Sequence, residues 1–226
     1  EAAALDHFDE GAHVVDLVHV GVPDGATVMC IWQRFRSPAS TSTFDPSNST
    51  QVGISPMSTI LALTSSALAG QSASSQLVGF AVDQLVAEDP GARVVVRDLG
   101  ADHIPHLDAD SSAALRTGEA ANPTQARALA LSGELLDELR SADTLVIGAP
   151  MYNFGISTTL KAWFDYVLRA GQTFSYSEAG PKGLLTGKRA LAILSRGGMY
   201  SESPAQAIDF HEPHLLHLLG FIVITD

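Results

Sequence analysis

The sequence predicts an α/β fold built on a doubly wound parallel sheet. From Met57 onward, short apolar runs rich in β-branched residues alternate with stretches whose apolar residues recur at helical spacing. The alternation repeats four times in the order strand then helix, which places helices on both faces of a parallel sheet. The loops after the first, third and fourth of these strands carry hydroxyls, aromatics and paired glycines, at the sheet end where such folds hold ligands.

Residues 1–56 show little sustained periodicity. Val14 to Val22 and Thr27 to Phe35 read as short strands, and Ser37 to Pro56, rich in Ser, Thr and Pro, reads as linker. The division expected is an unmatched extension over 1–56 and one domain over 57–226, with Met57 as the natural start. Ile60 to Thr64 suits a strand buried on both faces. Leu77, Phe80, Ala81 and Leu85 follow at helical spacing, and Pro90-Gly91 stops that helix. Val94, Val95 and Val96 mark a strand over Arg93 to Asp98. Gly100 to Ala121 reads as a loop of mixed polarity. Asn122-Pro123 starts a helix, with Asn as cap and Pro at the first helical position. Thr144 to Ala149 is a strand, and Leu160, Trp163, Phe164, Val167 and Leu168 form the apolar stripe of the next helix. Ala190 to Leu194 is a strand, Pro204 to Leu219 a helix, and Phe221 to Thr225 is again apolar. The pattern stops where a fifth strand is due, so the expected chain lacks a C-terminal strand and helix and leaves a sheet edge unpaired.

The formal charge of -12 disfavours nucleic acid and anionic membrane surfaces as partners. No apolar run approaches the roughly 18 residues of a membrane span. The single cysteine, Cys30, makes no intrachain disulfide and has no His or Asp partner nearby, so it reads as inert and the chain as cytoplasmic. Asn48-Ser49-Thr50 matches a glycosylation sequon and, with no secretion signal, reads as chance.

Thr64 to Ser75 joins the first strand to a helix N-terminus, where free N–H groups and the hydroxyls of Ser66, Ser72 and Ser74 suit a monophosphate; an ordinary capped turn is the plain alternative. Two rival phosphate motifs are excluded. No Gly-x-Gly-x-x-Gly follows a strand, and Gly183 to Arg189 has P-loop-like glycines one residue too close, with Arg189 where Ser or Thr is required. Ala149 to Ser157 presents Met151, Tyr152 and Phe154, which need a flat apolar partner or a core to cover, and Asn153, which both donates and accepts. Ser195 to Tyr200 contains Gly197-Gly198, which allow close backbone approach to a ligand or make a tight turn.

Pro150 to Asp165, Arg169 to Gly183 and Ser195 to Gly198 together resemble the bacterial FMN-dependent NADH-azoreductase family, also called FMN-dependent NADH:quinone oxidoreductases. The resemblance runs from Met57 to Asp226. It implies a flavodoxin-like homodimer with active sites at the dimer interface. FMN would rest its phosphate on Ser66, Ser72, Ala73 and Ser74 and its ring against Met151, Tyr152, Asn153 and Phe154. Ser195, Arg196, Gly197 and Gly198 would close the other side, and Tyr176 with Phe154 would border the substrate pocket. Ala73 departs from the polar residue usual there, though a backbone contact survives the change. NADH or NADPH would supply hydride, and a quinone or azo compound would take two electrons by a ping-pong scheme with no dedicated catalytic side chain.

The rival reading is a flavodoxin-like electron carrier, against which the Gln172 to Leu185 excursion argues, since a carrier needs no substrate wall. A metal site at His211, His214 and His217 is disfavoured because these residues drift round a helix, and His103 and His106 read as solvated.

Overall fold

A computed structural model describes residues 14–21, 27–34, 57–178, 180–198, 200 and 204–223, with the backbone alone for 14–21, 27–34 and 223. The expected linker over 37–56 and the Asn48 sequon lie outside the described residues. The elements run β1 (Val14–Gly21), β2 (Thr27–Arg34), β3 (Thr59–Thr64), α1 (Ala73–Glu88), β4 (Arg93–Asp98), α2 (Ala109–Thr117) and α3 (Pro123–Ser141). Then follow β5 (Thr144–Pro150), α4 (Thr158–Val167), β6 (Phe174–Ser177), β7 (Gly180–Gly183), β8 (Arg189–Arg196) and α5 (His211–Val223).

The main sheet has the order β1-β2-β8-β5-β3-β4. Its four strands β8, β5, β3 and β4 are mutually parallel, as the strand–helix alternation requires. Side chains alternate between faces along each strand. Leu61, Leu63, Leu145 and Ile147 point to a large core shared with α3, α4 and α5, where Leu135, Leu139, Trp163, Phe164 and Leu215 are buried. Ile60, Ala62, Val146 and Ile193 point the other way, onto Val78, Leu77 and Leu85 of α1. The apolar Phe80 stands exposed on the outer side of α1, outside the face expected for it.

Helix starts follow side-chain chemistry. Asn122 accepts the Gln125 N–H with Pro123 behind it, as expected for α3. The segment expected as a loop, Gly100 to Ala121, contains α2. With few apolar residues, this helix rests on its ends: Asp108 and Ser111 form a reciprocal capping box, and Gly118 closes it in the left-handed region at φ 77°. The helix expected over Pro204 to Leu219 is two pieces, a 3₁₀ turn at Pro204–Ile208 and then α5. The break falls where Asp209 Oδ1 accepts the His211 N–H at 3.0 Å. Pro213 sits in the first turn of α5, where no intrahelical donor is lost. Phe221 and Ile222 continue that helix rather than beginning a strand.

The sheet edge expected to be open beside β8 is occupied. β2 runs antiparallel to β8 from Thr27↔Arg196 to Gln33↔Ala190, and β1 pairs antiparallel with β2 outside it. The glycine-flanked Lys188, set aside as a P-loop, donates instead to the carbonyls of Arg140 (2.7 Å) and Ala142, satisfying the C-terminal end of α3. Among the described residues no helix is long and apolar enough to cross a membrane.

α4 is the element on which the second of the strand-end loops depends. Its cap is the buried Ser157, whose Oγ accepts the Leu160 N–H at 3.2 Å. Ser157→Ala is expected to cost about 1 kcal/mol, read as a lower urea midpoint with an unchanged slope.

Candidate active site

Three loops meet at the carboxyl ends of β3, β5 and β8, and the bonds between them are specific. The first runs from Thr64 to Ser75. Its Ser65 Oγ donates to the Gly148 carbonyl at 2.8 Å, and its Ser65 carbonyl accepts from Thr159 Oγ1 at 3.0 Å, tying it to β5 and α4. Ser66 Oγ accepts the Leu68 N–H at 3.1 Å. Ala69, in the left-handed region at φ 49°, turns the chain toward α1. Ser72 caps α1 by accepting the Ser75 N–H at 3.1 Å, and its hydroxyl lies 3.2 Å from that of Ser74. Ser66, Ser72 and Ser74 are all buried. Ala73 is the first residue of α1 and offers the loop only its backbone.

Two glycines let this loop lie where it does. A Cβ on Gly148 would stand 2.9 Å from Val78 Cγ2, so β5 and α1 pack closely only because none is there. A Cβ on Gly100 would stand 2.2 Å from the Ser66 carbonyl oxygen. Neither glycine was singled out from sequence.

The second loop is a tight turn. The Tyr152 N–H donates to the Gly155 carbonyl at 2.9 Å and the Gly155 N–H to the Tyr152 carbonyl at 3.1 Å. Between them Asn153 and Phe154 both have positive φ, 48° and 71°. This is a type I′ arrangement, which favours Asn then Gly. Phe154 occupies the glycine position, a strained choice for a bulky side chain. Tyr152 and Phe154 are 37% and 44% exposed, so these rings do not fill the core. The Tyr152 hydroxyl accepts the Ala67 N–H at 3.0 Å and lies 3.2 Å from Ser66 Oγ, bridging the second loop to the first.

The third loop continues β8 through Ser195, Arg196, Gly197 and Gly198. The Ser195 carbonyl accepts the Met151 N–H at 2.8 Å, joining it to the second loop. Arg196 is buried, and its guanidinium pairs with Asp209 at 2.8 Å and Glu212 at 3.2 Å. Sequence reasoning missed both carboxylates, because the stretch holding them drew notice only for its histidines. Tyr176 stands apart on the β6–β7 hairpin, 72% exposed. Its ring meets Phe174 edge-on at 5.4 Å, and Phe174 packs on Phe221.

Among the described residues no group of three or more His, Cys, Asp or Glu side chains is placed to hold a metal ion. His211 lies wholly inside the protein, with neither ring nitrogen in a hydrogen bond of good geometry. Burial first, and then the Arg196 cation, push its pKa down to about 4. Burial also lowers that of His214.

A flavin mononucleotide fits this arrangement. The hydroxyls of Ser72 and Ser74 at the start of α1, with that of Ser66 earlier in the same loop, are of the kind that could serve a phosphate. The strained turn beside it presents unpacked aromatic surface for a flat ring.

The sheet topology places the chain in the doubly wound α/β class, whose ligands sit where these three loops meet, at the carboxyl ends of the strands. The chain belongs to the family with the flavodoxin-like fold, whose model matches residues 58–226. It is 54% identical over 170 residues to an FMN-dependent NADH:quinone oxidoreductase of Hyphomonas neptunium, covering 75% of this chain and 81% of that one. A protein of the same name from Yersinia pestis is 52% identical over 171 residues, covering 75% and 84%. The crystal structure of an azoreductase from Bacillus anthracis superposes with a TM-score of 0.67 at 28% identity, covering 75% of this chain and 84% of that one.

Proposed function

We propose that this protein is an FMN-dependent NADH:quinone oxidoreductase that also reduces azo compounds, and that the three strand-end loops are its cofactor site. The observation that carries the reading is the strained Tyr152–Gly155 turn, which holds exposed aromatic rings beside a buried hydroxyl-lined helix terminus. The chemistry that bound FMN would supply is two-electron transfer by way of hydride, the overall reaction being NADH, a quinone and a proton giving NAD⁺ and a hydroquinone.

The protein binds and orients. Ser66, Ser72 and Ser74, with the backbone of Ala73, hold the phosphate at the start of α1. Met151, Tyr152, Asn153 and Phe154 line the ring, with the Asn153 amide serving its polar edge. Ser195 and the backbone of Gly197 and Gly198 close the opposite side. Phe154 borders the acceptor space, and the exposed Tyr176 on its separate hairpin completes that border only where a second copy brings it there.

In this reading the enzyme is a cytoplasmic homodimer, consistent with one cysteine and with exposed apolar side chains at Tyr176, Ile208 and Phe210 that a second copy would cover. The flavin-binding domain spans 57–226 and residues 1–56 are an extension of it, whose strands β1 and β2 add to the sheet.

The purified protein is expected to carry a visible flavin spectrum, to release FMN on denaturation, to bleach with NADH under anaerobic conditions and to recover with benzoquinone. A colourless protein that takes up no added FMN overturns the reading. Phe154→Gly separates strain from function. It relieves the positive φ, so the apo protein should be unchanged or more stable by up to about 1 kcal/mol, while kcat/KM for quinone falls about tenfold as the ring contact is lost. Thermal melting and steady-state kinetics on the same preparation check both halves.

A further inference from the structure

The stretch from Asp209 to Glu212 lies outside the three loops, yet it grips two of them. Arg196 closes β8, and its Nη2 faces Asp209 Oδ2 at 2.8 Å and Glu212 Oε2 at 3.2 Å. Asp209 turns its other oxygen to the His211 N–H at the start of α5. Between these residues the Phe210 N–H donates to the Phe154 carbonyl at 3.1 Å. One short segment therefore binds the arginine that precedes Gly197-Gly198 and also the backbone of the strained turn.

We propose that Arg196, Asp209 and Glu212 form a positioning cluster that sets the Tyr152–Gly155 turn against the Gly197-Gly198 backbone, and that Arg196 serves FMN through this cluster rather than by contact of its guanidinium. The inference rests on the FMN reading above. The side chains of Arg196 and Asp209 are 5% and 10% exposed, so their attraction is little screened and neither charge is easily left alone. Arg196 Nη2 meets both carboxylates, so the trio carries net negative charge and draws an anionic ligand only weakly, while the buried Nε has no hydrogen-bond partner among the described residues. Asn153 and Phe154 hold backbone conformations that relax unless something grips them, and the grip on Phe154 comes from the same segment.

The test is an FMN titration, followed by flavin fluorescence, of the apo forms of wild type, Arg196→Met, Asp209→Asn, their double variant and Arg196→Lys. Each neutral single substitution is expected to raise the FMN Kd about tenfold, and the double no further than the worse single, as for residues acting as one unit. Arg196→Lys should recover part of the loss, because it keeps the charge. Multiplicative losses in the double variant would mean that Arg196 touches FMN independently, and would overturn the proposal. So would an unchanged Kd accompanied by a lower Tm, which marks a merely structural pair. Should the two buried substitutions fail to fold, the more exposed Glu212→Gln takes their place: a raised Kd supports the cluster and an unchanged one overturns it. A wild type that binds no FMN overturns the cofactor reading and this one together, whereas a wild type that binds beside variants that bind equally overturns this one alone.

Discussion

Gly100→Ala is expected to be the most damaging glycine-to-alanine change among the described residues. The new Cβ would stand 2.2 Å from the Ser66 carbonyl oxygen and 3.2 Å from the carbonyl carbon behind it. These are backbone atoms, so no rotamer change relieves the contact. The Ser66 carbonyl is already engaged, accepting the Ala69 N–H at 3.1 Å at the turn that leads into α1. On the other side, the Gly100 N–H donates to Asp98 Oδ1 at 2.9 Å, which holds the glycine in place. Either the Ser66 loop or the Asp98–Gly100 turn must move. Overpacking of this kind costs about 1–3 kcal/mol. Because the displaced atoms belong to the hydroxyl-bearing loop, FMN affinity should fall at least about tenfold as well, equivalent to 1.4 kcal/mol. Urea unfolding and FMN titration of the variant check the two effects. A variant that binds FMN as tightly as wild type would show that Ser66 has no part in holding the phosphate.

The second large effect is acid destabilisation through His211. Its side chain is wholly buried and its pKa is pushed down to about 4, chiefly by burial, then by Arg196, with Asp209 and the Ala149 carbonyl opposing and His214 adding slightly. An unfolded histidine protonates near 6.5. Above that pH neither state is charged and the residue contributes no pH dependence. As the pH falls from about 6.5 to about 4, the unfolded state takes up a proton that the folded state refuses, so stability declines with falling pH. The total loss is about 3 kcal/mol, reached once the folded residue also protonates. His211→Gln removes this component. The variant's stability should fall less than that of the wild type between pH 7 and pH 4.5, measured by urea unfolding at each pH. Parallel pH profiles for the two proteins would show that His211 is protonated equally in both states.

The four parallel strands were legible because each is a short apolar run with its own boundaries, and α3 was legible because Asn122-Pro123 states where it begins. α2 was missed because its information lies in the Asp108–Ser111 box and in Gly118, whereas an apolar stripe is what a search along the chain detects. Pro204 to Leu219 has helical spacing throughout, but Asp209 competes for the His211 N–H and breaks it into two pieces. The residues of the strand-end loops were legible from their types and order. The bonds between the loops were not: Tyr152 meets Ala67, Met151 meets Ser195 and Arg196 meets Asp209 only after the sheet has brought distant segments side by side. The direction of the Arg196 side chain is the clearest case, since nothing local to Ser195-Arg196-Gly197-Gly198 says which way it turns.

The antiparallel pairing of β2 with β8 also governs the order in which the molecule can assemble. Thr27 and Arg196 are ladder partners although roughly 170 residues lie between them along the chain. β1 and β2 are close neighbours along the chain, and this ribbon can pair before the strands that follow it are made. A lone two-stranded ribbon is marginal in water, and both of its edges are open. Its landing place does not exist until Arg189–Arg196 has been synthesised and laid beside β5. Within the described sheet, the strands that come earliest in sequence are therefore the last to enter it. Through most of synthesis the nascent chain carries an apolar ribbon that a chaperone must shield or a neighbouring chain can capture.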